Sequence, residues 1–380
     1  MRNPLAPTVF LLRNANKTLP LIGVIVLAVM LIAGIVAIMN SIPLSIRTTY
    51  GYSKNYLGVS PRGNNSLTPV LRNIVEKESP VPLAPIMVCR VSDCEVKSIV
   101  GPWRFVVIAL GQADMRTYLG RLGGGRIEGR FPEPGEAATI ISEPVARNLG
   151  KKIGDVLLSP EDANNYSPNP VKIVGIVHMA PWMVLAPIEY HRKYHFPPID
   201  LLIVMAKDVK DQNKLDHWAY DRFKKEKARV FAYFQLEKET DDMFKILYTI
   251  LNVVIGMLVI VITLMMAMLM NIYQSQRLQE FGLLQALGYT KQGLLKRVLA
   301  ETALVVVGGW IAGVVVGFFV LEIVKATLMD PRAFMLDPWD QKAFLYSVPV
   351  PIAIFLAGSL TVARRFKKFD PVGVVERRLV

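Results

Sequence analysis

Four long apolar runs constrain this chain more than any other feature. The first, Leu19 to Ile42, carries no charged residue. A helix needs about 20 apolar residues to cross a bilayer, so the run is long enough. The second extends from about Ile246 to Ile272, the third from Thr302 to Val324 and the fourth from Ala343 to Ala363. A globular core needs no such blocks. A cleaved signal peptide is the competing reading of the first run, but its apolar part would span about 7–15 residues before a small-x-small site. Asn40-Ser41-Ile42-Pro43 offers no such site, so a retained helix is expected.

Within the third run, Gly308, Gly309, Gly313 and Gly317 lie on one helical face. Small residues let helix backbones approach closely in a membrane. Gly309, Gly313 and Gly317 are therefore packing candidates, inside one subunit or between two. Pro349 and Pro351 fall inside the fourth run, where a kink is tolerated if neighbours satisfy the freed carbonyls.

The chain has 380 residues and a formal charge of +13. A soluble basic chain would raise nucleic-acid binding. Here the cations are not interleaved with stacking aromatics, and no helix-turn-helix or zinc-finger spacing occurs. Nucleic acid is not an expected partner; the bilayer is. The cations instead set orientation, since basic residues flanking spans stay cytoplasmic. Arg2, Arg13 and Lys17 precede the first run; Arg277, Lys291, Lys296 and Arg297 lie between the second and third; Arg364, Arg365, Lys367, Lys368, Arg377 and Arg378 follow the fourth. Residues 1–18, 273–301 and 364–380 are thus expected in the cytoplasm, with both termini inside. Residues 43–242 and 325–342 are expected outside. Val9 to Leu12 is read as a short stretch lying on the membrane surface.

The large outside segment has α+β texture. VKIVGIVH (Val171–His178), LLIVMA (Leu201–Ala206) and RFVVIALG (Arg104–Gly111) read as strands. SEPVARNLG (Ser142–Gly150) reads as a helix with a Ser cap and a Gly stop. DHWAYDRFKKEKARVFAYF, from Asp216, reads as an amphipathic helix, and LEKETDDMFK as a helical stalk leading into the second span. The fold class is therefore four transmembrane α-helices with a large α+β extracytoplasmic domain inserted between the first and second.

Cys89 and Cys94 are the only cysteines and both fall outside. An even count in an oxidising compartment favours a disulfide over free thiols or a metal site. His191 and His195 have helical spacing for a metal, but they sit in the basic run YHRKYHFPP and read as a solvated surface. No metal or catalytic residues are expected. No G-x4-G-K-[ST] phosphate loop, G-x-S-x-G elbow or H-E-x-x-H motif occurs. No ionisable residue sits mid-span as a proton relay would require. The chain is expected to be non-catalytic and to hold no cofactor.

Between the second and third runs lies EFGLLQALGYTKQGLLKRVLAE, interrupted by Gly282, Gly288 and Gly293. Phe281, Leu283, Leu284 and Leu287 read as an apolar face, with Arg277, Lys291 and Lys296 around it. This loop, the following VVVGGWIAGVVVG and the tail ARRFKKFDPVGVVERR resemble the permease subunits of MacB/FtsX/LolC-type (type VII) ABC transporters. GRIEGRFPEPGEAATIISEPVARNLGKKIGDVL with VKIVGIV resembles that family's extracytoplasmic domain more loosely, and residues 43–100 match nothing in it.

The resemblance implies a bacterial inner-membrane protein working with two copies of a separate cytoplasmic ATPase, which would bind the ATP and Mg. It implies a second permease subunit, as a homodimer, and allows for a periplasmic adaptor or an outer-membrane channel. Glu280, Phe281, Gly282, Leu283, Leu284, Ala286, Leu287, Gly288 and Lys291 would form the coupling element docked on the ATPase. Gly282→Asp or Leu284→Asp would then uncouple ATP hydrolysis from movement of the outside domain. The family includes FtsX-like regulators that activate a cell-wall hydrolase without transport, which is the alternative function.

Overall fold

The structure is a computed structural model that describes residues 15–99, 101–224, 226 and 228–368. The surface-lying stretch Val9–Leu12 and the Asp370-Pro371 tail lie outside the described residues. The chain divides into two compact units. One comprises residues 1–40, 245–325 and 337–380, and the other residues 41–244 and 326–336.

In chain order the elements begin with α1 (Ala15–Thr49), β1 (Leu57–Ser60), α2 (Thr68–Glu78), β2 (Met87–Ser98), β3 (Gly101–Leu110) and α3 (Gln112–Arg121). Next come β4 (Arg126–Gly129), β5 (Ala138–Ser142), α4 (Glu143–Leu149), β6 (Val156–Leu158), β7 (Val171–His178) and β8 (Val184–Pro187). They are followed by α5 (Ile188–Lys193), β9 (Leu201–Val204), α6 (Gln212–Phe223) and β10 (Arg229–Phe231). The last are α7 (Tyr233–Gln276), α8 (Leu278–Ala286), α9 (Lys291–Val324), α10 (Gln341–Leu345) and α11 (Pro349–Lys368).

The α+β unit is built on one mixed sheet in the order β10-β1-β9-β2-β3-β8-β5-β7-β4, with β6 added to β7. Strand β2 joins its two halves. Met87–Cys89 pair with β9, while Arg90–Ser98 pair with β3 without a register break. Each half has its own core. Leu57, Val75, Leu202, Leu215 and Phe223 fill the first, between strands and the helices α2 and α6. Phe105, Tyr118, Ile140, Val145, Ile173 and Trp182 fill the second. The resulting α+β domain is inserted between the first and second membrane helices.

Several expectations change here. The stretch from Asp216 is not one helix. It ends at Phe223, and Arg229-Val230-Phe231 pairs antiparallel with Ser60-Val59-Gly58 as an edge strand. Ser142 occupies the N-cap of α4, but its hydroxyl accepts the N–H of Met183 at 2.9 Å instead of capping. The Gly150 stop is present at φ +68°, a left-handed position that glycine takes at little cost. Residues 326–336, expected as part of a plain loop, belong to the α+β unit. Asn148 is buried and donates to the Arg332 carbonyl at 2.7 Å.

The expected disulfide is also overturned: Cys89 and Cys94 are free and buried. They lie on the continuous strand β2, where a rise of about 3.3 Å per residue puts five steps at roughly 16 Å. A disulfide needs Cα atoms about 4.4–6.8 Å apart. Burial pushes the Cys94 thiol up to about 12 and raises Cys89 further. Both behave as small apolar side chains. His191 is not a solvated surface residue either. It is buried, with Nδ1 3.0 Å from the Pro187 carbonyl and Nε2 3.4 Å from the Ser92 hydroxyl. His195 lies beyond the end of α5 at φ +50°. Among the described residues no His, Cys, Asp and Glu cluster could hold a metal.

Among the described residues four helical segments are long and apolar enough to span a membrane. Gly309 and Gly313 of α9 seat on α1, whereas Gly308, expected on the same face, is exposed and a Cβ there would meet nothing. A Cβ on Gly309 would stand 3.1 Å from the Ile25 side chain, and one on Gly313 would stand 2.8 Å from Val29. A Cβ on Gly317 would meet Phe344 at 3.6 Å. This face is filled within the subunit. The fourth span is broken, not kinked. Helix α10 ends at Leu345 and α11 starts at Pro349, where proline's missing N–H has no helical partner to lose. The break is satisfied by Ser347, which donates to the Phe344 carbonyl at 2.6 Å and accepts from Trp310 at 3.0 Å. A polar set sits at the other end of α7 from α8. Asn40 donates to Asp340, and Tyr248 donates to the Asn40 side-chain oxygen at 2.8 Å.

Candidate coupling site

The expected coupling element folds as a short helix followed by a tight turn. A single residue, Arg277, separates α7 from α8. Helix α8 stops because Gly288 adopts φ +95°. The Tyr289 N–H then reaches back to the Leu284 carbonyl at 3.1 Å, and the Gly288 N–H to Gln285 at 3.0 Å. This is a glycine-terminated helix end, in which a left-handed residue lets the last carbonyls find donors. Two residues on, Thr290 caps α9 by accepting the Gly293 N–H at 3.1 Å. Gly282 therefore lies inside α8 and Gly293 in the first turn of α9; only Gly288 marks a break.

The apolar residues of α8 do not share one face. Phe281 is buried at 3% exposure, among Val298 of α9 and Val362 and Phe366 of α11. Its ring centroid lies 5.3 Å from that of Phe366. Gly282 is also buried and Leu284 is half-buried. Glu280, Leu283, Ala286, Leu287, Gly288 and Lys291 are exposed, and Leu283 and Leu287 reach 64% and 76%. Helical spacing explains the division, because residues three and four apart share a face. Positions 277, 281, 284 and 285 turn inward, and 279, 283, 286 and 287 turn outward. Gly282 and Leu284 are thus poor members of a docking surface. Leu283 and Leu287 with Tyr289, 45% exposed, are its apolar part.

A buried ion network lies on the inner side. Glu301, at the edge of the third apolar run, is 4% exposed. Its carboxylate oxygens accept from Arg277 Nη1 at 2.7 Å and Arg297 Nε at 3.1 Å. Arg277 is 5% exposed and also donates from Nε to Glu280 at 3.0 Å. Its guanidinium stacks over the rings of Tyr273 and Phe281, at 5.4 and 5.0 Å. Sequence reasoning missed this network. A signal for it was present: an arginine and a glutamate at the facing edges of two adjacent apolar runs.

Among the exposed titratable clusters described in the α+β unit, one is centred on a histidine. His178 on β7 stands 3.0 Å from Glu143 and 3.3 Å from Glu128. These two carboxylates raise the imidazole above its usual range. Gly125 beside it must be glycine, since a Cβ would stand 2.6 Å from the His178 carbonyl.

Residues 252–371 match the FtsX-like permease C-terminal family model. No curated protein matches the chain. Among solved structures, the periplasmic region of MacB from Actinobacillus actinomycetemcomitans aligns at 8% identity and a TM-score of 0.30, over 52% of this chain and 97% of that one. The extracellular domain of the noncanonic ABC-type transporter YknZ from Gram-positive bacteria aligns at 11% identity and a TM-score of 0.26, over 47% of this chain and 100% of that one. A domain of a putative permease protein from Porphyromonas gingivalis aligns at 12% identity and a TM-score of 0.25, over 47% of this chain and 89% of that one. These structural similarities are slight; the family match takes in α8, the ion network and the last two spans, about a third of the chain, and over that stretch the chain is similar to FtsX-like permeases.

Proposed function

We propose that the chain is the membrane subunit of an ABC transporter of the MacB/FtsX type. A separate cytoplasmic ATPase docks on the outward side of α8. Two copies of each subunit form the complex, with the ATP and Mg bound by the ATPase. ATP-driven closure of the ATPase pair pushes on α8, and the membrane helices carry the movement to the α+β domain outside the cell membrane. The work is mechanical and drives export or extraction of a substrate: a lipid, a lipoprotein, a peptide or an amphipathic drug. The observation that carries this reading is the division of α8. One side is fastened into the bundle by Phe281 and Arg277, while the other leaves Leu283 and Leu287 uncovered. These two leucines are uncovered by this chain, which leaves an apolar surface that a docked ATPase would cover.

Helix α7 supports the second copy. Only 17% of its most apolar stretch is buried within the subunit, against 44% for α1. Ile246, Ile250, Val253, Met257, Ile260 and Leu264 are all more than half exposed. They alternate at three- and four-residue steps, the spacing of a helix–helix seam.

The test is affinity purification of the full chain in detergent after expression in a bacterial host together with the genes that adjoin its own. An ATP-binding chain is expected to co-purify. Leu283→Asp with Leu287→Asp is expected to lose it while the permease stays monodisperse. Recovery of a cell-wall hydrolase without transport would favour the regulator reading. Absence of any nucleotide-binding chain would sink both.

A further inference from the structure

A helix joined to its neighbour by one residue would bend at that joint when pushed. The chain turns from α7 into α8 at Arg277, so a load on α8 reaches the bundle only if this joint is held. Two fastenings hold it. Phe281 packs between α9 and α11 through Val298, Val362 and Phe366. The side chain of Arg277 itself crosses to α9 and meets Glu301 at 2.7 Å, where Arg297 braces the other carboxylate oxygen at 3.1 Å. Apolar contacts can slide, but a charge-assisted guanidinium–carboxylate hydrogen bond is directional.

The placement of these charges argues that they are more than packing. Burying an ion pair seldom gains stability over an apolar pair of the same volume. Arg277 and Glu301 are nonetheless among the least exposed charged residues described. Arg277 also spans two environments. Its Nε meets the half-exposed Glu280 on the side of α8 that faces water, and its Nη1 meets the buried Glu301.

We propose that Arg277 and Glu301 are positioning residues that lock the α7–α8 joint onto α9, so that a push on α8 moves the third membrane helix instead of bending the joint. The proposal rests on the coupling role given to α8. The lock itself is a property of the isolated permease, and it is tested there first.

Spin labels are placed at Ala286→Cys on α8 and Leu304→Cys on α9, both solvent- or lipid-exposed positions. Cys89 and Cys94 are buried and do not compete for label. In the full chain in lipid nanodiscs, the label-to-label distance distribution is expected to be narrow. Glu301→Gln and Arg277→Gln should each broaden it, and the double variant should broaden it no further, because two partners of one bond are not additive. Unchanged widths, or additive broadening, would overturn the lock. Should a glutamine variant fail to fold, Arg277→Lys decides. It keeps the charge but lacks the planar guanidinium that meets Glu280 and Glu301 from separate nitrogens, and a width equal to the parent's overturns the proposal.

The second arm uses the co-purified ATPase. Glu301→Gln is expected to retain the ATPase, since the docking face is untouched, while hydrolysis loses its dependence on the permease. Loss of the ATPase itself would assign Glu301 to docking and overturn its positioning role. If no ATPase co-purifies with the parent chain, the coupling reading fails while the distance measurement still judges the lock.

Discussion

Helices α7 and α9 are both long, apolar and uncharged through their middles, yet they are used differently. Helix α9 turns glycines toward α1, where a Cβ at Gly313 would lie 2.8 Å from Val29. Helix α7 turns isoleucine, valine and methionine away from the subunit and keeps them bare. Lipid tails are as apolar as these side chains, so burial alone gives membrane helices little reason to associate. Close approach has to come from shape. The lesson is that small residues mark the surface already used inside one subunit. Large ones mark the surface left for lipid or for another copy.

That contrast can be broken most directly at Gly313. Gly313→Ile forces a branched side chain into Val29, and overpacking of this kind costs about 1–3 kcal/mol or more. Thermal unfolding in detergent should show a clearly less stable bundle; a neutral result would mean the α1–α9 contact is loose. Next comes the turn that starts α9. Gly288→Ala places a Cβ at φ +95°, and left-handed backbone costs a non-glycine residue roughly 1–2 kcal/mol. Thr290→Ala removes the α9 cap and is expected to cost about 1 kcal/mol. Both are read from the same unfolding curves.

The bare helix supplies the smallest effect. Ile260→Ala on α7 should change the stability of the isolated subunit by no more than about 0.5 kcal/mol, as at other uncovered sites. Ile260→Cys should instead form a cross-link between two copies in membranes, seen as a dimer on a non-reducing gel. A cost as large as that of Gly313→Ile, with no cross-link, would reverse the assignment of the two faces.

The four spans were legible because a nearly uncharged apolar run of about 20 residues matches the thickness of a bilayer and exceeds what a soluble core requires. The strands at Val171–His178 and Leu201–Val204 were legible from β-branched residues between turns. What the sequence hid depends on long-range pairing. Arg229-Val230-Phe231 reads as the end of a helix until its partner, Gly58 to Ser60, is known. The cysteine pair misled because spacing says nothing of conformation: the same five-residue separation closes in a loop and cannot close in a strand. A short helix between the second and third spans was legible, but its two sides were merged. Phe281 and Leu283 are equally apolar, and only the positions of α9 and α11 decide which of them is covered. The Arg277–Glu301 pair joins residues 24 apart, beyond the reach of any helical periodicity.

The polar set of Asn40, Asp340 and Tyr248 lies at the other end of α7 from Arg277. Packing among apolar helices is weakly directional, so it permits one helix to slip along its neighbour. A hydrogen-bonded set at one end and an ion network at the other each match specific residues across helices. An axial slip by one turn, about 5.4 Å, would break both. A tilt that keeps each end in place would break neither. These two sets therefore oppose an axial slip of α7 and leave its tilt unopposed.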